Sequence, residues 1–200
     1  MLSQLGFDYL KRHKRQFKMA RADVVDVLQR SGVPLFEPVI DFQLRFGGCR
    51  IAEDFVFGLF YPDSDGQKPV SPQTEEWDGE TRFVCSVRNS VQMWLHINEH
   101  GTYFEDRVPH AESVENLIAH YAWVDRTLTR ENWTHISQDR LTTKRYEGFL
   151  DESQLAVVPE ASDAYRQVLR NDRMLYIKVP GWPRLFVKPE LARQVGHKKR

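Results

Sequence analysis

The sequence predicts an α+β fold: an antiparallel sheet of about five or six strands with helices packed on it, followed by a C-terminal helix plus hairpin extension. Three observations carry this. The runs TRFVCSV, VQMWLHI and TYFED are rich in β-branched and aromatic residues. They are separated by the turn formers Arg88-Asn89-Ser90 and Asn98-Glu99-His100-Gly101, the pattern of an antiparallel meander. Val114, Leu117, Ile118, Tyr121 and Ala122 recur at i, i+3, i+4, i+7 and i+8, which sets them on one face of a helix. MLYIKV and RLFVK flank Pro180-Gly181-Trp182-Pro183 and read as a final hairpin.

The remaining elements follow in chain order. Residues 11–21 hold Lys11, Arg12, Lys14, Arg15, Lys18 and Arg21 with no acid, a basic N-terminal helix or arm over 1–21. Val24, Val25 and Leu28 give a helical stripe stopped at Ser31-Gly32. Pro34 and Pro38 keep the next residues extended. Val39, Phe42 and Phe46, with Ile40 alongside, make a second helix halted by Gly47-Gly48. RIAEDFVFGLFY reads as a strand or a bent pair of strands, closed by Pro62. Residues 62–80, with three prolines and two glycines, read as a long exposed loop. After the meander and the helix that follows Pro109, residues 130–158 are weakly patterned. Ser162 is then expected to cap a short helix carrying Tyr165, Val168 and Leu169. The division expected is an α+β domain over 22–130 and a C-terminal extension over 131–200 packed on it.

Composition narrows the function classes. With 200 residues the chain is long enough for a sizeable core without disulfide or metal. Cys49 and Cys85 form neither a disulfide framework nor a CxxC pair, which suits a reducing compartment. No run approaches the roughly 18 apolar residues of a membrane span, and MLSQLGFDYLKRHKRQF lacks a signal peptide's apolar stretch, so a cytoplasmic protein is expected. The net charge is zero but unevenly spread. Setting aside the six cations of residues 11–21 and Lys198-Lys199-Arg200 leaves 19 Lys and Arg against 28 Asp and Glu, a body of charge −9. Between residues 51 and 80, Glu53, Asp54, Asp63, Asp65, Glu75, Glu76, Asp78 and Glu80 face Lys68 alone.

His96-Ile97-Asn98-Glu99-His100 matches H-x-x-E-H, the spacing of an inverted zinc-peptidase motif. That chemistry needs a helix, which puts residues four apart on one face and both imidazoles about 2.0–2.1 Å from one ion. Here the flanks are strand formers, and Asn98 and Gly101 are turn residues, so the segment reads as a hairpin. In extended chain the two histidines would stand roughly 13 Å apart at about 3.3 Å per residue. Cys49 reads as a small buried thiol in preference to a nucleophile, since spacing identifies no histidine partner. There is no G-x-S-x-G and no Gly-rich phosphate loop, and the pairs Glu75-Glu76 and Glu105-Asp106 read as solvated charge. No catalytic residue, metal or cofactor is expected, and the chain is read as no enzyme.

KRHKRQFK has the composition of a phosphate-binding stretch, but the acidic body beyond it repels a polyanion, so it reads as a solvated helix face. The acidic loop reads as a recognition surface for a basic protein, with Asp63, Asp65, Glu75, Glu76, Trp77, Asp78 and Glu80 as candidate contacts. Trp is enriched at binding hot spots, and flanking carboxylates speed encounter with a cationic partner. The plainer alternative is a mobile solubilising loop.

GVPLFEPVIDFQLRFGGCRI resembles the signature of the SUKH superfamily of bacterial immunity proteins: a short helix, a proline-containing link, and a second helix ending in Gly-Gly that leads into the sheet. WLHINEHGTYFEDRVPHAESVENLIAHYA is similar to that family's later block, a hairpin turning at Gly followed by a helix beginning near Ser113. The resemblance covers roughly residues 22–128; the basic N-terminus and residues 130–200 depart from it. It implies a SUKH-like domain that binds and neutralises a cognate toxin, delivered by contact-dependent or type VI secretion, by occluding its active cleft. Many such toxins are nucleases with cationic clefts. The alternative on the same fold is a regulatory or scaffold protein-binding module without a toxin partner.

Overall fold

A serine caps the start of the first helix and glycines follow the ends of the next two, and the residues between supply one buried stripe each. The computed structural model describes residues 2–51, 55–60, 71–88, 93–136, 150–179 and 183–197, and divides into two compact units, Met1–Ile118 and Ala119–Arg200. In the first unit, α1 (Gln4–Arg12) begins at Ser3, whose Oγ accepts from the Gly6 amide at 3.1 Å. α2 (Arg21–Arg30) buries Val24, Val27 and Leu28, with Val27 taking the place expected of Val25. It ends where Gly32 adopts φ +68° and the Val33 amide returns to the Leu28 carbonyl at 3.1 Å. α3 (Glu37–Phe46) buries Val39, Ile40, Phe42 and Phe46 as their spacing predicts. Pro38 lies inside its first turn, not in extended chain, because a helix start leaves that amide position unbonded in any case.

The end of α3 receives the N-terminal chain. Arg15 forms an isolated antiparallel bridge with Cys49, and its guanidinium donates to the carbonyls of Leu44, Gly47 and Phe17 at 2.8–2.9 Å. Helix-end carbonyls left without intrahelical donors are thus satisfied by a cation. Gly48 has φ +82°, and a β-carbon there would fall well under 3.0 Å from the Phe17 backbone. The second glycine of Gly47-Gly48 therefore permits both the turn and the close approach. Gln43, 1% exposed, fixes the next segment: its Oε1 accepts from the Leu59 amide at 2.8 Å and its Nε2 donates to the Phe60 carbonyl at 3.1 Å.

β1 (Arg50–Ile51) and β2 (Phe55–Val56) pair antiparallel, the bent pair that the sequence predicts. β3 (Thr74–Trp77), β4 (Glu80–Arg88), β5 (Met93–Asn98), β6 (Tyr103–Glu105) and β7 (Val108–Ala111) form an antiparallel meander in sequence order. Its inner face carries Phe83, Leu95, Ile97, Tyr103 and Ala111, each at most 2% exposed. Edge-to-face contacts extend this core from Tyr103 through Phe57 to Phe42, with centroids 6.2 and 5.4 Å apart. Burial of each large member contributes about 1.5–3 kcal/mol. Val114, Leu117 and Ile118, from the start of α4 (Val114–Arg130), are buried in the same unit.

The expectation of a single exposed loop over 62–80 is corrected. Thr74–Trp77 is β3, an edge strand, because Asp78 and Gly79 take φ 51° and 80° and close a two-residue hairpin turn between Trp77 and Glu80. Asp63 and Asp65 lie outside the described residues.

The second unit holds the rest of α4 and a second antiparallel sheet, ordered β8-β12-β11-β10-β9. These strands are β8 (Thr134–Ile136), β9 (Ala156–Val157), β10 (Gln167–Arg170), β11 (Met174–Lys178) and β12 (Arg184–Val187). Ile136, Leu169, Tyr176, Leu185 and Val187 form its core with Leu191 of α5 (Pro189–His197). β11 and β12 are the expected hairpin. The helix expected after Ser162 is instead β10. The Ser162 Oγ accepts from the Val168 amide at 2.9 Å and donates to the Val158 carbonyl at 2.8 Å, so it closes a turn, and Asp163 accepts from the Tyr165 and Arg166 amides. The class is α+β as the sequence predicts, with ten of the described strands divided between two five-stranded sheets and β1–β2 a separate pair.

Gly48 and Gly79 share φ near +80°, but a β-carbon at Gly79 meets nothing within 4 Å. Gly79→Ala should therefore cost about 1–2 kcal/mol, and Gly48→Ala at least about 3. Urea midpoints of the two variants measure the difference, and equal losses would contradict the docking of the N-terminal chain at Gly48.

Candidate functional site

Alternation along β3 and β4 divides their side chains between two faces of the first sheet. The pairs Thr74–Phe83, Phe83–Ile97 and Ile97–Tyr103 run across the inner face; Glu75–Arg82 and Arg82–Asn98 cross the outer, as do Val84–His96 and His96–Phe104. Trp77 and Glu80, paired at the turn, share the outer face with Glu75 and Arg82. Three of the seven candidate contacts, Glu75, Trp77 and Glu80, lie on that face.

At its centre Arg82 is 7% exposed, with its guanidinium 3.9 Å from the Phe104 ring centroid and 5.9 Å from that of Trp77. Arg107, in the turn between β6 and β7, lies 3.8 Å over the Trp77 ring. Arg107, Trp77, Arg82 and Phe104 thus alternate cation and ring. Each such contact stabilises by about 0.5–1 kcal/mol when exposed and about 2 when desolvated. Nε and Nη1 of Arg82 are buried and have no hydrogen-bond partner among the described residues, so the aromatic ring faces are what its charge meets. Trp77 is half-buried, with Arg107 over its ring.

His96 is 4% exposed, with Nε2 3.8 Å from Glu75 Oε2. Burial pushes its pKa below the ordinary 6.5, and the Glu75 carboxylate pulls the other way. His100 sits in the turn after β5 with its side chain 69% exposed. Asn98 Oδ1 accepts from the His100 and Thr102 amides at 3.1 and 2.8 Å, and Gly101 takes φ +90°. The H-x-x-E-H spacing therefore spells a hairpin, with one histidine inside and the other in solvent. Among the described residues, no three His, Cys, Asp or Glu side chains converge as a metal site. Cys49 and Cys85 are buried free thiols whose pKa values burial pushes up.

The carboxylates surround the hairpin. Glu75 and Glu80 lie on the outer face, Glu76 projects from the opposite side of the same edge strand, and Asp78 is exposed at the tip. Glu80 accepts from Asn98 Nδ2 at 3.0 Å and Glu76 from Thr81 Oγ1 at 2.9 Å, which orients both. The arrangement attracts cations along a ridge one strand wide. Of the cations of the N-terminal stretch, Arg15 is half-buried, while Lys11 and Arg12 are exposed and lie over the rings of Phe7 and Tyr9, at 4.6 and 5.5 Å.

Arg82, Phe104 and Arg107 were not singled out from sequence. The available signal was Arg82 inside an otherwise apolar strand, at an outward position of the alternation. Comparison with family models, curated proteins and solved structures finds no match for this chain. No helix of the described residues is long and apolar enough to cross a membrane.

The buried neutral state of His96 links stability to pH. Its folded pKa is depressed, so the unfolded chain takes up a proton that the folded chain refuses, and stability falls as pH drops below 6.5. His96→Gln should flatten part of the fall in urea midpoint between about pH 7.5 and about pH 5. An unchanged slope would show that His96 is solvated.

Proposed function

We propose that the chain is a protein-binding immunity module that neutralises a cationic protein toxin by seating the β3–β4 hairpin in the toxin's active cleft. One observation carries this reading: Glu75, Glu76, Asp78 and Glu80 decorate both sides and the tip of one edge hairpin whose backbone is fixed by an Asp-Gly turn and an arginine–aromatic stack. A ridge one strand wide fits a cleft better than a flat surface. Because the turn and the stack already order it, less conformational entropy is lost on binding. The carboxylates accelerate encounter with a positive cleft, and the uncovered part of Trp77 adds apolar contact that slows release. The first unit as a whole carries 18 Asp and Glu against 13 Lys and Arg, a background field of the same sign.

The SUKH resemblance supports the same reading from different residues. Its first block corresponds to α3, the Gly47-Gly48 turn and β1, and its second to the β5–β6 hairpin leading into α4. A cytoplasmic nuclease toxin with a cationic cleft is the partner this chemistry recognises.

Co-expression tests it. Cells expressing the cognate toxin should survive with the wild-type chain. They should lose protection with the combined substitution Glu75→Lys, Glu76→Lys and Asp78→Lys, whose affinity for the toxin should fall by at least about tenfold. The urea midpoint of the variant checks folding, since Glu75 stands near His96. Full protection by the folded variant would remove the hairpin from the interface.

A further inference from the structure

The second unit has the opposite charge balance: from residue 119 to 200 there are 15 Lys and Arg against 10 Asp and Glu. Part of that surplus lines a cleft of about 500 Å³. One wall is the face of α4 that carries Trp123, Arg126, Thr127 and Arg130, spaced i, i+3, i+4 and i+7. The other is the segment from Ala156 to Glu160, and Glu131 together with Arg170 of β10 completes the lining. Trp123 and Thr127 are 4% and 5% exposed. Arg126 and Arg130 form no ion pair with a described residue. Arg170 is pre-oriented: its guanidinium meets Glu131 at 3.3 Å, that carboxylate is shared with Lys188 at 2.9 Å, and the same guanidinium lies 5.7 Å from the Trp123 ring.

The geometry points to this cleft as a binding site for a small organic phosphate, a monoester whose apolar body rests on the Ala156–Pro159 wall while its phosphate meets Arg126, Arg130 and Arg170. Guanidinium forks match phosphate oxygens in pairs, and more than one fork suits a dianion better than a carboxylate, which a single fork satisfies. The volume falls within the roughly 300–1,000 Å³ of small-molecule sites. The wall of Ala156, Val157, Val158 and Pro159 offers apolar surface, with Val157 52% exposed. Glu131 and Glu160 also line the cleft and oppose an anion; Glu131 is shared by Arg170 and Lys188, so binding depends on Arg126 and Arg130, which outweigh Glu160 two to one. This site is independent of the acidic hairpin and of any toxin.

Calorimetric titration of the full chain with phenyl phosphate, inorganic phosphate and benzoate tests both parts. Phenyl phosphate should bind at least about tenfold more tightly than either of the others. The double variant Arg126→Ala, Arg130→Ala should weaken it by about tenfold or more with little change in urea midpoint, because neither side chain is fully buried or ion-paired among the described residues. No detectable binding, equal binding of all three probes, or unchanged binding by the double variant would overturn the assignment.

Discussion

A guanidinium buried between two aromatic rings organises the outer face of the first sheet. Arg82 cannot leave its place between Phe104 and Trp77 without exposing both rings, and Arg107 holds Trp77 from its other neighbour. A two-stranded hairpin is marginal by itself in water. Here the edge strand β3 is pinned through its own Trp77 to the turn between β6 and β7, at the far side of the sheet order. Four carboxylates that would otherwise be spread over many chain conformations are thereby held along one ridge. Fixed charge of this kind is what an electrostatically steered partner reads.

A second constraint lies beneath that face. The N-terminal chain is threaded against the end of α3, where Gly48 gives it room and Arg15 satisfies the helix-end carbonyls. A stretch that reads in the sequence as a solvated helix face keeps most of its cations exposed, while Arg15 binds helix-end carbonyls and Arg21 pairs with Glu37. The two units carry charge of opposite sign: the acidic surplus of the first frames the hairpin, and the basic surplus of the second frames a cleft.

The α+β class, the meander, α2, α3, α4 and the final hairpin were legible because each rests on local chemistry. Gly32 and Gly48 stop helices, and Val114, Leu117 and Ile118 keep helical spacing. β3 was not legible, since the Asp78-Gly79 turn signal sat inside a proline-rich acidic stretch whose composition spoke for loop. β10 reads as a helix in the sequence because Ser162 is as good a turn former as a helix cap, and only the tertiary pairing of Val168 and Leu169 decides between them. Of the candidate site, the acidic residues were visible in sequence, but what orders them was not. Arg82 and Phe104 are brought together by strand register, and Arg107 reaches Trp77 from 30 positions along the chain, a relation no local pattern contains.

A β3–β4 ridge seated in a partner's cleft is shielded from solvent. Amide hydrogen exchange of the chain, alone and in complex with a toxin against which it protects, measures that shielding. Exchange at Thr74–Arg82 should slow on complex formation. Exchange there that stays unchanged while protection appears elsewhere would contradict it.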